Sequence, residues 1–169
     1  MGLKKQTEGD LAGYTTINID LGLFAAYEAA CAGLEYVWGG KCTNLGHIPP
    51  TWYSLEKQSN QGPDCSGYVR ALLEYATACI VSQGFPDGSV AQCDWVKAKG
   101  FKPGDYSATG DGDDHIRIAF KHEGTHGDTA GHVWLTVHGH TVESYGGYGP
   151  GQQPWQVYSG IVDECFVLC

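Results

Sequence analysis

Apolar positions along this chain follow a helical rhythm in its first half and an alternating one in its second. Residues 21–34 (LGLFAAYEAACAGL) are apolar on nearly every side, which predicts a buried helix ending close to Gly33. Tyr68, Leu72, Tyr75 and Ala76 recur at helical spacing, predicting a second helix from Cys65 to about Val81. Residues 90–99 suggest a third, on the surface and closed by Gly100. Alternation then takes over. Residues 115–120 (HIRIAF) predict a strand, and residues 132–138 and 141–144 predict two more joined by a tight turn at Gly139. Residues 157–168 supply one or two last strands.

Glycine, proline and polar runs punctuate these elements. Residues 1–20 are a lead-in of mixed character, and residues 41–62 form a loop with Pro49-Pro50 and a short helix around Tyr53 to Gln58. The remaining loops are 84–88, 101–114, 121–131 and the glycine-rich stretch 145–154. Helices first and strands later argue for an α+β fold with an antiparallel sheet. With no internal repeat, the chain divides into the lead-in 1–20 and one domain over 21–169.

Composition narrows the partners. At 169 residues and 42% hydrophobic, the chain is long and apolar enough to bury a core of its own. No apolar run approaches the ~18 residues that a membrane helix needs, so no membrane insertion is expected. The net charge is −9 and the ten basic residues are scattered, which argues against nucleic acid and anionic lipid as partners. Lys4 and Lys5 are not followed by an apolar stretch, so no secretion signal is visible, and export by another route or excision from a larger protein is expected. Seven cysteines leave at least one without an intramolecular partner; three disulfides plus one working thiol and seven reduced thiols fit equally. The spacings contain no CxxC, and Cys165-x-x-x-Cys169 has no second ligand pair nearby, so neither metal nor cofactor is expected.

The chemistry centres on Cys65. Gly62-Pro63 ends one segment, Asp64 is a good helix N-cap, and Cys65 opens the apolar helix behind it. Unpaired N–H groups and a partial positive charge at a helix start favour thiolate over thiol; the plain alternative is a small core residue. A cysteine nucleophile needs a base, and the base needs a group to hold its ring. His132 opens a predicted strand directly after Gly131, where its side chain can lean over a neighbouring helix start. Glu143, on the paired strand, lies across from the His132 end of the hairpin and can accept the imidazole N–H; the alternative is a surface glutamate. The other histidines (47, 115, 122, 126, 138 and 140) fall in or beside loops and turns and are expected to be ordinary polar residues. Asp111-Gly112-Asp113-Asp114 lacks the full calcium loop and is expected to be solvated. The 145–154 stretch suits sugar or peptide contact at a cleft rim, or is a plain surface loop.

Three blocks in order, Tyr36-Val37-Trp38-Gly39-Gly40, Asp64-Cys65-Ser66-Gly67-Tyr68-Val69 and Gly131-His132-Val133-Trp134-Leu135, resemble the NlpC/p60 family of cell-wall cysteine peptidases. The resemblance spans roughly residues 21–145 and implies a papain-like fold. In that fold an aromatic strand comes first, and the nucleophile helix then packs on a central antiparallel sheet. It implies that Cys65 is the nucleophile, His132 its base, and Tyr36 an aromatic that approaches the nucleophile. Asp64, Ser66 and Trp38 become candidates for substrate contact, although Asp64 and Ser66 also have a structural reason to cap the helix. The family's third residue is commonly His, where Glu143 stands here. Cys65 and His132 are 67 residues apart (132 − 65), and polar loops 84–90 and 102–114 lie between them, able to wall the cleft.

The implied activity is hydrolysis of an amide bond in peptidoglycan stem peptides, often D-γ-glutamyl to a diamino acid, through a Cys65 thioester and without a cofactor. The expected setting is the bacterial cell wall, for a phage lysin, a secreted hydrolase or an antibacterial effector acting as a monomer. Alternatives within enzymes are an N-acetylmuramoyl-L-alanine amidase using the same Cys/His pair, and an acyltransferase. Outside enzymes, the alternative is a disulfide-rich extracellular binding module in which Cys65 is bridged.

Overall fold

The computed structural model describes residues 2–55, 61–110 and 112–169. Its centre is a six-stranded antiparallel sheet in the order β5-β10-β6-β7-β8-β9: Lys102–Pro103, Glu164–Val167, Arg117–Lys121, His132–Val137, His140–Tyr145 and Gly149–Pro154. Helices α1 (Leu21–Cys31), α2 (Cys65–Thr77) and α3 (Ser89–Lys99) complete the α+β architecture. Two small hairpins, β1-β2 (Leu3–Lys5, Thr15–Ile17) and β3-β4 (Lys41–Cys42, Trp52–Tyr53), lie beside it. No helix among the described residues is long and apolar enough to cross a membrane.

Strand alternation sorts the core into two layers. Val133 and Leu135 of β7, Val142 of β8, and Ile118 and Phe120 of β6 join Tyr68, Val69, Leu72, Leu73 and Ala76 of α2 in the main core. The opposite face of the sheet carries Ala119, Trp134 and Cys165, packed with Tyr106, Trp155, Tyr158 and Val162. His132, Trp134, Thr141 and Glu143 therefore belong to the face turned away from α2, and the first turn of α2 meets the sheet near the start of β7.

Helix α2 starts where Asp64, in extended conformation, caps it by accepting from the Gly67 N–H at 2.6 Å. Its last residue is Thr77, four short of the expected Val81, and Ala78 caps it in the left-handed region. Its buried face includes Tyr68, Leu72 and Ala76, which helical spacing placed inside, while Tyr75 is only half-buried against the core. Two glycines allow the segment before it to come close. A Cβ on Gly67 would stand 2.3 Å from the Gly40 carbonyl oxygen, and one on Gly40 would stand 2.1 Å from that of Gly62. The Gly40 carbonyl also accepts from the Asp64 N–H at 3.1 Å, seating the 36–40 segment on the helix start.

Several expectations change. The 36–40 segment is irregular backbone with a turn at Trp38-Gly39, not a strand, because Gly39 adopts a φ of 73°. Helix α1 buries one face, Phe24, Tyr27 and Cys31, and leaves Leu21 and Leu23 exposed, so it is not buried all round. The described part of the lead-in, 2–20, carries the β1-β2 hairpin, whose Ile17 enters the main core and donates its N–H to the Leu168 carbonyl. The 145–154 loop instead contains β9, paired along its length with β8. The 157–168 region yields one strand, β10, after a 3₁₀ turn at Trp155–Tyr158. The short helix expected around Tyr53 to Gln58 runs into residues outside the described set, and Tyr53 itself belongs to β4. Asp111 also lies outside it; neighbouring Asp113 pairs with Arg117 and accepts from the His115 N–H.

Candidate active site

The hairpin β7-β8 brings His132 and Glu143 together. Its turn is His138-Gly139, both with positive φ (46° and 78°), the two-residue geometry whose twist matches flanking strands. Leu135 pairs with Val142, so Glu143 falls opposite Trp134 and reaches His132 diagonally along the same face. His132 Nε2 and Glu143 Oε2 are 2.6 Å apart. Glu143 is fully buried, and its other oxygen accepts from Thr141 Oγ1 at 2.8 Å and from Gln153 Nε2 at 3.3 Å. A buried carboxylate is costly unless its lone pairs are satisfied, and here both oxygens are occupied.

Cys65 is the second group beside the ring, and its hydrogen bonding and charge act on His132 together with those of Glu143. With Nε2 engaged by Glu143, Nδ1 is the nitrogen left to face the thiol. Burial alone would lower the pKa of His132, but hydrogen bonds with Cys65 and Glu143, and their negative charge, raise it to about 9. A base held charged above neutrality between a thiol and a carboxylate is the arrangement that an imidazolium–thiolate pair requires.

Aromatic rings fix the imidazole in place. His132 stacks on Trp134 at 5.4 Å with 25° between planes, and Tyr158 lies 5.7 Å from it. Trp134 is itself held: its indole N–H donates to the Tyr106 hydroxyl at 3.1 Å, which donates to the Trp155 carbonyl at 2.9 Å. The Tyr158 hydroxyl accepts from Gln153 Nε2 at 3.4 Å, and burial, then the nearby Glu143 carboxylate, push its pKa up, so it stays neutral.

The start of α2 is tied down as firmly. Lys41 Nζ donates to both carboxylate oxygens of Asp64 (3.0 and 2.8 Å) and to Ser66 Oγ (3.0 Å), and Ser66 Oγ donates to Asp64 Oδ1 at 3.0 Å. Asp64 and Ser66 therefore have structural partners, while both still line the cavity next to Cys65. Burial, then the nearby Cys65 and Asp64, push the Tyr36 hydroxyl up, leaving it neutral beside the nucleophile.

Two cavities meet over this site. One, of about 440 Å³, is lined by Cys65, Asp64, Ser66, Lys41 and the start of α3. The other, of about 360 Å³, is lined by His132, Lys121, Tyr145, Tyr158 and Ile161. Tyr36, Trp38 and Gly131 border both, so the two form one cleft across the Cys65–His132 pair. Trp38 stands 62% exposed at the lip.

All seven residues singled out from the sequence thus converge on one cleft or its buried support. Thr141, Gln153, Tyr158, Trp134 and Lys41 were missed. Period-two spacing could have found Thr141 from Glu143 and Trp134 from His132, since each pair shares a face. Gln153 and Tyr158 carried no such signal. The other histidines bind locally: His115 contacts Asp10 and the Cys169 carbonyl, and His126 contacts Asp163. All seven cysteines are unpaired thiols. No protein-family model matches the chain, and no curated protein matches it.

Proposed function

We propose that this chain is a cysteine peptidase with the papain-like fold and chemistry of the NlpC/p60 type, acting on amide bonds of peptidoglycan stem peptides. The observation that carries the reading is the grouping of Cys65, His132 and Glu143, with the carboxylate 2.6 Å from one ring nitrogen and the thiol among the groups that act on the ring. The unbridged Cys65 favours this over a disulfide-rich binding module. The preferred bond is D-γ-glutamyl to a diamino acid, an inference from the three sequence blocks, and the place of action is the bacterial cell wall.

In this mechanism the Cys65 thiolate attacks the amide carbonyl carbon while N–H groups at the start of α2 hold the developing oxyanion. The His132 imidazolium gives its proton to the leaving amine, and a thioester forms. The neutral ring then takes a proton from water, whose oxygen attacks the thioester carbonyl and releases the acid and Cys65. Glu143 keeps the ring oriented and stabilises its charge throughout. Trp38 and Tyr36, at the border of the two cavities, contact the peptide on either side of the scissile bond.

Mass spectrometry of muropeptides released from purified peptidoglycan tests the bond. Products with a free glutamyl carboxylate and a free diamino-acid amine are expected. Lactyl-muramic acid separated from an intact stem peptide would replace this reading with the amidase one.

A further inference from the structure

Away from the cleft, three potential ligand atoms from three elements converge. Cys93 Sγ of α3, His122 Nε2 from the segment after β6, and a carboxylate oxygen of Glu164 of β10 all lie within 4.8 Å of one another. Cys93 Sγ is 3.6 Å and His122 Nε2 2.8 Å from Glu164 Oε1. We propose that Cys93, His122 and Glu164 form a binding site for a zinc-like divalent cation that clamps α3 to the edge of the sheet.

Thiolate, imidazole and carboxylate together make a donor set suited to zinc, which takes sulfur at ~2.3 Å and nitrogen or oxygen at ~2.0–2.2 Å in tetrahedral geometry. With those bond lengths, ligand atoms stand roughly 3.3–3.6 Å apart. The Cys93–Glu164 separation already matches, His122 must retreat by about half an ångström from Glu164, and Cys93 and His122, within 4.8 Å of each other, close the triangle. The histidine sits on rigid backbone: its N–H donates to Asp163 Oδ2 at 2.7 Å, and its carbonyl accepts from Thr125 Oγ1 at 2.8 Å.

A cation already serves this carboxylate. Lys97, one turn after Cys93 on α3, places its ammonium 2.5 Å from Glu164 Oε1. Its side chain is 43% exposed, so it can swing into solvent when a metal arrives. Lys97 thus competes with the metal for Glu164 and sets a modest affinity. Asp94, next to Cys93, lines the cavity beside Cys65, so a clamp here would also hold one wall of the cleft.

The test uses the full chain carrying Cys65→Ala, which removes metal binding at the Cys65–His132 pair. Titration with Co²⁺ alone is expected to give one ion per chain and a thiolate-to-metal charge-transfer band, displaced by Zn²⁺. Cys93→Ser should abolish the band, His122→Ala should weaken binding about 100-fold, and Lys97→Met should tighten it about 10-fold. Absence of the band in both the Cys65→Ala and the Lys97→Met proteins would overturn the proposal. So would a band that survives Cys93→Ser. If Cys93→Ser does not fold, His122→Ala carries the test, and an unchanged affinity there would also overturn it. None of these readouts depends on hydrolysis.

Discussion

Replacing Glu143 with glutamine isolates the part of the site that holds the imidazole. The side chain keeps its size, and its amide oxygen can still accept from Thr141 and Gln153, which lie 2.8 and 3.3 Å from Glu143 Oε1. Its NH₂ group then faces His132 Nε2, where the carboxylate stood at 2.6 Å. To accept that donor, the ring must place its own proton on Nδ1, the nitrogen that faces Cys65. In that tautomer it can no longer take the thiol proton. The charged ring also loses support. The rise from 6.5 to about 9 amounts to roughly 3 kcal/mol in favour of the imidazolium, shared between Cys65 and Glu143. Losing one partner forfeits about 1–2 kcal/mol of that, after which burial pulls the ring pKa down. Together the two effects should lower kcat/KM on purified muropeptides by about 10²–10⁴-fold. The assay is the profile of kcat/KM from about pH 6 to about pH 10. The native protein should lose activity on the alkaline side near pH 9, and Glu143→Gln should lose it at lower pH. A variant with an unmoved alkaline limb and a fall of less than about threefold would refute the reasoning.

The same pair sets a pH dependence of stability. The folded pKa of His132 stands above the ordinary 6.5, so its contribution is complete below pH 6.5 and is lost as pH climbs through about 9. Urea unfolding should show the native protein's advantage over Glu143→Gln shrinking across that window; a constant gap would contradict it. Gly67→Ala should cost about 3 kcal/mol, because its Cβ would lie 2.3 Å from the Gly40 carbonyl oxygen, and calorimetry should show Tm falling by about 10 °C. Trp38→Ala at the exposed lip should leave unfolding within ~0.5 kcal/mol and raise KM about 10-fold at constant kcat. Lys41→Met strips the Asp64 carboxylate, 13% exposed, of its cation and should destabilise by about 2 kcal/mol in equilibrium unfolding, with little response to salt.

What could be read from the sequence follows from how local each signal is. The N-cap Asp64, the apolar spacing behind Cys65 and the alternation over β7 are short-range patterns, and those elements start where the spacing put them. Strand β9 (GPGQQP) has no β-branched or aromatic residue and owes its form to pairing with β8. Its first residue, Gly149, has φ 74° and no room for a Cβ, which would stand 2.0 Å from the Leu34 carbonyl oxygen. Reading that stretch as a loop concealed Gln153, which donates to Glu143, and with it the following Tyr158, whose hydroxyl accepts from Gln153. The 36–40 segment misled in the opposite sense, since aromatic residues suggest a strand where Gly39 makes a turn. The Lys41–Asp64–Ser66 knot joins residues 23 and 25 positions apart, a distance at which no periodic signal survives.

The central claim is that Cys65 does the chemistry of this cleft. Digestion of purified peptidoglycan by the native protein and by Cys65→Ala, read by mass spectrometry of the released muropeptides, tests it most directly. New stem-peptide termini from the native protein and none from Cys65→Ala is the result the relay predicts; the same termini released by Cys65→Ala would contradict it.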